Sequence, residues 1–205
     1  MTEKTKTAKS NTLEQQLLHP LEMPQRYVYL RFVIDTNRIN ARGNLLYMNQ
    51  LEKWHNDDVI QIEVPGEVLQ EMSDGAYTPG TMKAKTYGRT IVTARMQAKY
   101  QSDRQKIESM LFPSGAREKG EQYDVGIVLN ARHYRAILVT NDGDSKSQPN
   151  GILGNRAELA KMGIQVMRDT EAVELVKRKI KERDDIARAI AEKTGETAPQ
   201  WVGTD

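Results

Sequence analysis

Tyr27–Val28–Tyr29–Leu30–Arg31–Phe32–Val33–Ile34–Asp35–Thr36–Asn37 is the stretch on which the fold turns. Eight residues rich in aromatic and β-branched side chains are followed by an abrupt acid and two small polar residues. The run is too uniformly apolar for a half-exposed strand. It predicts a buried strand over 27–34 that stops at Asp35.

The same pattern recurs downstream. Val59–Ile60–Gln61–Ile62–Glu63–Val64 reads as a second strand, with Pro65 placed where a helix can begin. Ala136–Ile137–Leu138–Val139–Thr140 reads as a third and Ile164–Gln165–Val166–Met167 as a short last one. Helical spacing is expected between them over 43–56, 66–73, 83–111, 122–133 and 154–162. The long pattern is weakened at Gly88, and 74–82 and 113–120 have loop chemistry. Strands alternating with helices at short intervals argue for a parallel sheet wrapped by helices. Ligands of open α/β sheets bind beyond the carboxyl ends of strands. Those ends are where chemistry is to be sought.

Composition narrows the chemistry. The chain has 205 residues and no cysteine. That excludes disulfides, thiolate zinc sites, iron–sulfur clusters and a cysteine nucleophile. The three histidines, His19, His55 and His133, show no ligand spacing, so a metal site would be built most easily from oxygen. A net charge of +2 says little about partners. No apolar run approaches a membrane span and residues 1–12 lack the apolar stretch of a signal peptide, so a cytoplasmic protein is the expectation. Residues 1–26 read as an N-terminal tail, partly disordered, with a short helix around Leu13–Leu18. Residues 27–170 form the main domain, 171–193 a charged helix and 194–205 a loose C-terminal tail.

Acids gather where the strands stop. Asp35 closes the first strand. Glu67 and Glu71 lie one helical turn apart after the second. Asp124 opens the helix before the third strand, and Asp142 and Asp144 follow that strand. Ordinary explanations exist for single members: a first-turn acid favours a helix through its dipole, and Asp–Gly is a common turn pair. Asp35 resists such a reading, and the joint pattern is more specific than any member. Carboxylates crowded at one sheet edge raise each other's pKa. A hard divalent cation with oxygen ligands can hold them together. An EF-hand at Asp142 is excluded, because the fifth and sixth positions would be Lys146 and Ser147.

Four segments, 33–37, 64–72, 124–128 and 138–144, resemble in order the four motifs of the PIN-domain family of metal-dependent ribonucleases, VapC-like toxins among them. The resemblance spans about residues 28–168. It implies a three-layer α/β/α sandwich around a central, mostly parallel sheet, here extended by a long C-terminal helix. It implies Mg²⁺- or Mn²⁺-dependent endoribonuclease activity on single-stranded RNA, leaving 3′-hydroxyl and 5′-phosphate ends. Asp35, Glu71, Asp124 and Asp142 match the catalytic and metal-binding quartet, and Asp144 a frequent accessory acid. Thr36, Asn37, Thr140 and Asn141 match supporting polar positions. The partners implied are RNA and, for a toxin, a small antitoxin protein; a homodimer is compatible with the family and a membrane is not expected.

RNA needs a path to that site. On one continuous helix Lys85, Arg89, Arg95, Lys99 and Lys106 would fall within about 120° of arc, a basic stripe suited to tracking phosphates. The five basic residues from Lys177 to Arg183 read more simply as a solvated face. Two other classes compete. A phosphotransfer domain carrying an aspartyl-phosphate at Asp35 wants a cationic donor across the cleft, and no lysine ends a strand near the acids. A non-catalytic nucleic-acid-binding module of the same fold would not need all four acids.

Overall fold

The computed structural model describes residues 24–90, 98, 100–143 and 151–205. Five strands form one sheet: β1 (Arg31–Ile34), β2 (Gln61–Pro65), β3 (Gly88–Thr90), β4 (Ile137–Val139) and β5 (Val166–Met167). The spatial order is β3-β2-β1-β4-β5 and every pairing is parallel. The α/β class and the all-parallel sheet are therefore as expected. Helices connect the strands: α1 (Leu46–Asn56), α2 (Gly66–Asp74), α3 (Thr78–Ala84), α4 (Gln101–Leu111), α5 (Lys119–Tyr134), α6 (Arg156–Lys161) and the long α7 (Asp169–Thr194). No helix among the described residues is long and apolar enough to cross a membrane.

β1 lies at the centre, between β2 and β4. Phe32, Val33 and Ile34 are all fully buried, so both faces of this strand are covered. Register then aligns the strand ends: Val33 pairs with Glu63 and Leu138, and Ile34 with Val139. The chain beyond Ile34 and the chain beyond Val139 thus leave the sheet side by side.

Several boundaries depart from the sequence reading. β1 begins at Arg31, because Tyr29 adopts a left-handed φ of 58° that no strand accommodates. Short α3 occupies most of the expected loop 74–82, with Pro79 in its first turn. The helix expected over 83–111 does not form as one piece. Glycine weakens a helix by about 1 kcal/mol, and Gly88–Arg89–Thr90 instead pairs with Glu63–Val64–Pro65 as an edge strand. Thr90 is buried there and its hydroxyl donates to Asn130 Oδ1 at 3.1 Å. The stripe is thereby broken: Lys85 caps α3, Arg89 lies in β3 and Lys106 in α4. Arg95 and Lys99 lie outside the described residues, as does the expected helix at 13–18.

α5 begins at Lys119, earlier than expected. Glu118 and Glu121 form a reciprocal capping box at its start. Buried Asn130 anchors this helix. Its amide donates to Glu67 Oε2 at 3.0 Å on α2 and to the Gly126 carbonyl at 2.9 Å. Gly126 lets α2 approach, since a Cβ there would stand 2.7 Å from Glu67 Cγ.

The described residues divide into two compact units, 27–179 and 24–26 with 180–205. In the second, Arg183 is buried rather than part of a solvated face. It pairs with Asp184 Oδ1 at 2.7 Å and Asp205 Oδ2 at 2.9 Å, under the ring of Trp201 at 4.4 Å. Asp184 accepts the Gly203 amide at 2.7 Å. The last residues fold back onto α7 where a loose end was expected.

Asn130→Ala removes partners of a buried hydroxyl and of a carboxylate, each worth about 1–3 kcal/mol when left unmade. Urea unfolding is expected to show a loss in that range or above it.

Candidate functional site

Asp35 sits where the buried central strand ends, 2% exposed. Three donors surround its carboxylate. The Thr36 amide reaches Oδ1 at 2.6 Å, while Asn37 Nδ2 and Thr140 Oγ1 reach Oδ2 at 2.6 and 2.5 Å. Thr140 Oγ1 in turn accepts the Asp142 amide at 2.9 Å, and Asn37 Oδ1 accepts the Asn141 amide at 3.0 Å. The four residues expected to support the site therefore tie the end of β1 to the end of β4. Arg38 extends the network, bonding the Asn37 carbonyl at 2.9 Å and Asp169 at 3.1 Å. Burial pushes the Asp35 carboxyl up to about 6; the bonds from Thr140 and Thr36 oppose this, and the charges of Glu71 and Asp142 add to it.

Glu71 and Glu67 divide the roles of their helix face. Glu71 Oε2 accepts from Thr36 Oγ1 at 2.5 Å and so joins the Asp35 group. Glu67 turns to Asn130 and packs on Gly126. Asp124 lies in the second turn of α5, beyond the first turn that the sequence reading assigned it. The helix dipole therefore does not account for it. Burial pushes its carboxyl up to about 8, and the charges of Asp35, Asp142 and Glu71 push the same way. Asp142 stands on a tightly made turn. Its Oδ2 accepts the Ile152 amide at 2.9 Å and its carbonyl the Leu153 amide at 2.9 Å. A Cβ on Gly143 would stand 2.1 Å from Gly151 Cα, so only two glycines allow these backbones to meet. Asp144 lies outside the described residues.

Other contributors were not singled out from the sequence. Asn130 could have been, as the lone amide within the apolar run Val125–Ala131. Asp74 could not. It accepts from Lys119 at 2.9 Å and Tyr123 at 2.6 Å, which fixes the start of α5 against the end of α2. These bonds hold its carboxyl down at about 2. The Ile152 amide carries no signal at all, because any residue could supply it.

Asp35, Glu71, Asp124 and Asp142 thus share one electrostatic environment, contributed by four separate segments. No group of three or more His, Asp or Glu side chains among the described residues is arranged to hold a metal ion as it stands. The donor chemistry nevertheless fits a hard divalent ion: oxygen only, acid-rich, with Asp124 raised by neighbouring charges that a cation would offset. The sequence matches no protein-family model and no curated protein.

Both raised groups hold protons in the native state that the unfolded chain has released. Stability therefore falls as pH rises from the ordinary aspartate value of 3.8 toward about 8. In chelator, the Tm is expected to decline across that window. Asp124→Asn flattens the decline, and added Mg²⁺ opposes it by binding the ionised native form. A Tm that climbs steadily to neutral pH in chelator contradicts this account.

Proposed function

We propose that this chain is a divalent-metal-dependent ribonuclease of the PIN-like kind, built as a three-layer sandwich around its parallel sheet. One observation carries the reading: carboxylates from four segments act electrostatically on one another, and burial with these charges raises one of them to about 8. A fold seeking only stability would not gather them. Asp35, Asp124 and Asp142, with Glu71 and the accessory Asp144, would hold Mg²⁺ or Mn²⁺. When bound, such an ion stabilises charge on a phosphoryl group and makes water a better nucleophile.

The chain's own residues divide the remaining work. Asp35 is fixed by three donors and gives the site a rigid reference point. Glu71 is half-buried and held by Thr36, so it can orient a water and accept its proton. Asp124 retains a proton near neutrality until a cation offsets its neighbours. Asp142 keeps its direction through the Ile152 amide. In-line attack on an RNA phosphodiester then leaves a 3′-hydroxyl and a 5′-phosphate. An aspartyl-phosphate at Asp35 is disfavoured, because a buried carboxylate accepting three hydrogen bonds is a poor nucleophile.

Single-stranded RNA incubated with Mg²⁺ or Mn²⁺ is expected to be cut, and Asp35→Asn to be inactive while still folded. Glu71→Gln should lower turnover at least tenfold, about 1.4 kcal/mol of barrier. Glu67→Gln should keep turnover and cost a few tenths of a kcal/mol of stability. Full activity in excess chelator, or in Asp35→Asn, overturns the reading.

A further inference from the structure

A cleft of about 360 Å³ opens at the end of the sheet away from the carboxylates. Tyr27, Tyr29, Arg31, Gln61, Tyr134 and Arg135 line it. These residues precede or begin β1, β2 and β4, whereas the carboxylates follow the ends of the same strands. The size is that of a small-ligand site.

Its composition is selective. Three aromatic rings and two guanidinium groups meet there with no aliphatic side chain among them. Tyr29 is 78% exposed, its ring edge-on to Tyr27 at 5.1 Å. Arg31 is held in place by Gln61 Oε1 at 3.2 Å and Glu63 Oε1 at 3.5 Å. Arg135 is exposed at the end of α5.

The backbone adds an independent sign. Tyr29 adopts a left-handed conformation, with φ of 58°, whereas Arg135, at 51°, is an ordinary left-handed cap ending α5. Bulky residues are uncommon there, and glycine or asparagine would fit with less strain. The edge-on contact with Tyr27 leaves most of the Tyr29 ring exposed. Strained residues of this kind cluster at binding sites. The exposed part of the Tyr29 ring is what a ligand can touch.

We propose that this cleft binds single-stranded nucleic acid, with a base stacked on Tyr29 and neighbouring phosphates paired by Arg135 and Arg31. Aromatic rings interleaved with cations are the usual platform for unpaired strands. A protein partner could use the same tyrosines and arginines, so the base dependence of binding is what separates the two. As an anchor for substrate the cleft depends on the ribonuclease reading, but its binding is measured without cleavage. Tyr29 precedes β1 and Asp35 follows it, so a nucleic-acid strand engaging both ends of the sheet must pass around the buried core and span several nucleotides.

The test is fluorescence polarisation of labelled oligouridylate of about twelve nucleotides, within the ~4–16 that single-strand surfaces cover. The full chain is used in chelator, with an abasic oligomer of equal length as the control. Tyr29→Ala is expected to weaken binding about tenfold, and Tyr29→Phe to retain it. Tyr29→Gly should lose the affinity while its Tm holds or rises, since glycine accepts the left-handed backbone. Arg135→Ala should lower the salt slope by about one. Wild-type affinity in Tyr29→Ala, or equal binding of the abasic oligomer, overturns the proposal. Neither result depends on whether the chain cuts RNA.

Discussion

A buried carboxylate at the end of the central strand sets the terms for everything around it. Asp35 cannot sit among Phe32, Val33 and Ile34 without hydrogen-bond donors. Thr36 and Asn37 supply two from the turn that follows, and Thr140 supplies the third from the neighbouring strand. The third donor requires β4 to lie beside β1 in the observed register, with Thr140 just past Val139. Local turn, strand neighbour and register are thus consequences of one desolvated group.

Asp124 opposes the fold, whereas Glu71 and Asp142 also make bonds within it. Burial, and then neighbouring charges, push the Asp124 carboxyl up, while the Asn130 bonds from α5 to α2 and β3 and the Asp74 group at the start of α5 hold its helix in place. Glu67 and Glu71 show the division clearly. They are one turn apart on one helix, yet one completes a structural contact and the other joins the acidic group. The two carboxylates of one helix face thus take separate partners.

Much of this was legible in the sequence, for identifiable reasons. β1, β2 and β4 are dense apolar runs that stop abruptly, so their existence, and the acids beyond them, could be read directly. β3 could not. It is a three-residue edge strand in a basic, polar stretch, and only pairing with β2 makes it a strand at all. The basic stripe failed with it, because its geometry assumed an unbroken helix. Asp124 was given the wrong turn of α5, since the capping box at Glu118 and Glu121 went unread. Asn130 left a local sign, a lone amide in an apolar run, but its partners lie across the sequence, and the Ile152 amide left no sign at all.

The meeting of Gly143 and Gly151 has a bearing on how such a chain can vary. Two glycine backbones in contact hold residues 143 and 151 together, and the bonds from Ile152 and Leu153 to Asp142 secure the meeting. Whatever lies between can lengthen at little entropic cost, because closure entropy grows only slowly with length. Asp142 would keep its place. The clasp makes this the natural port for inserted sequence, whether a reporter peptide or a recognition loop grafted beside the acids, leaving the sheet beneath untouched.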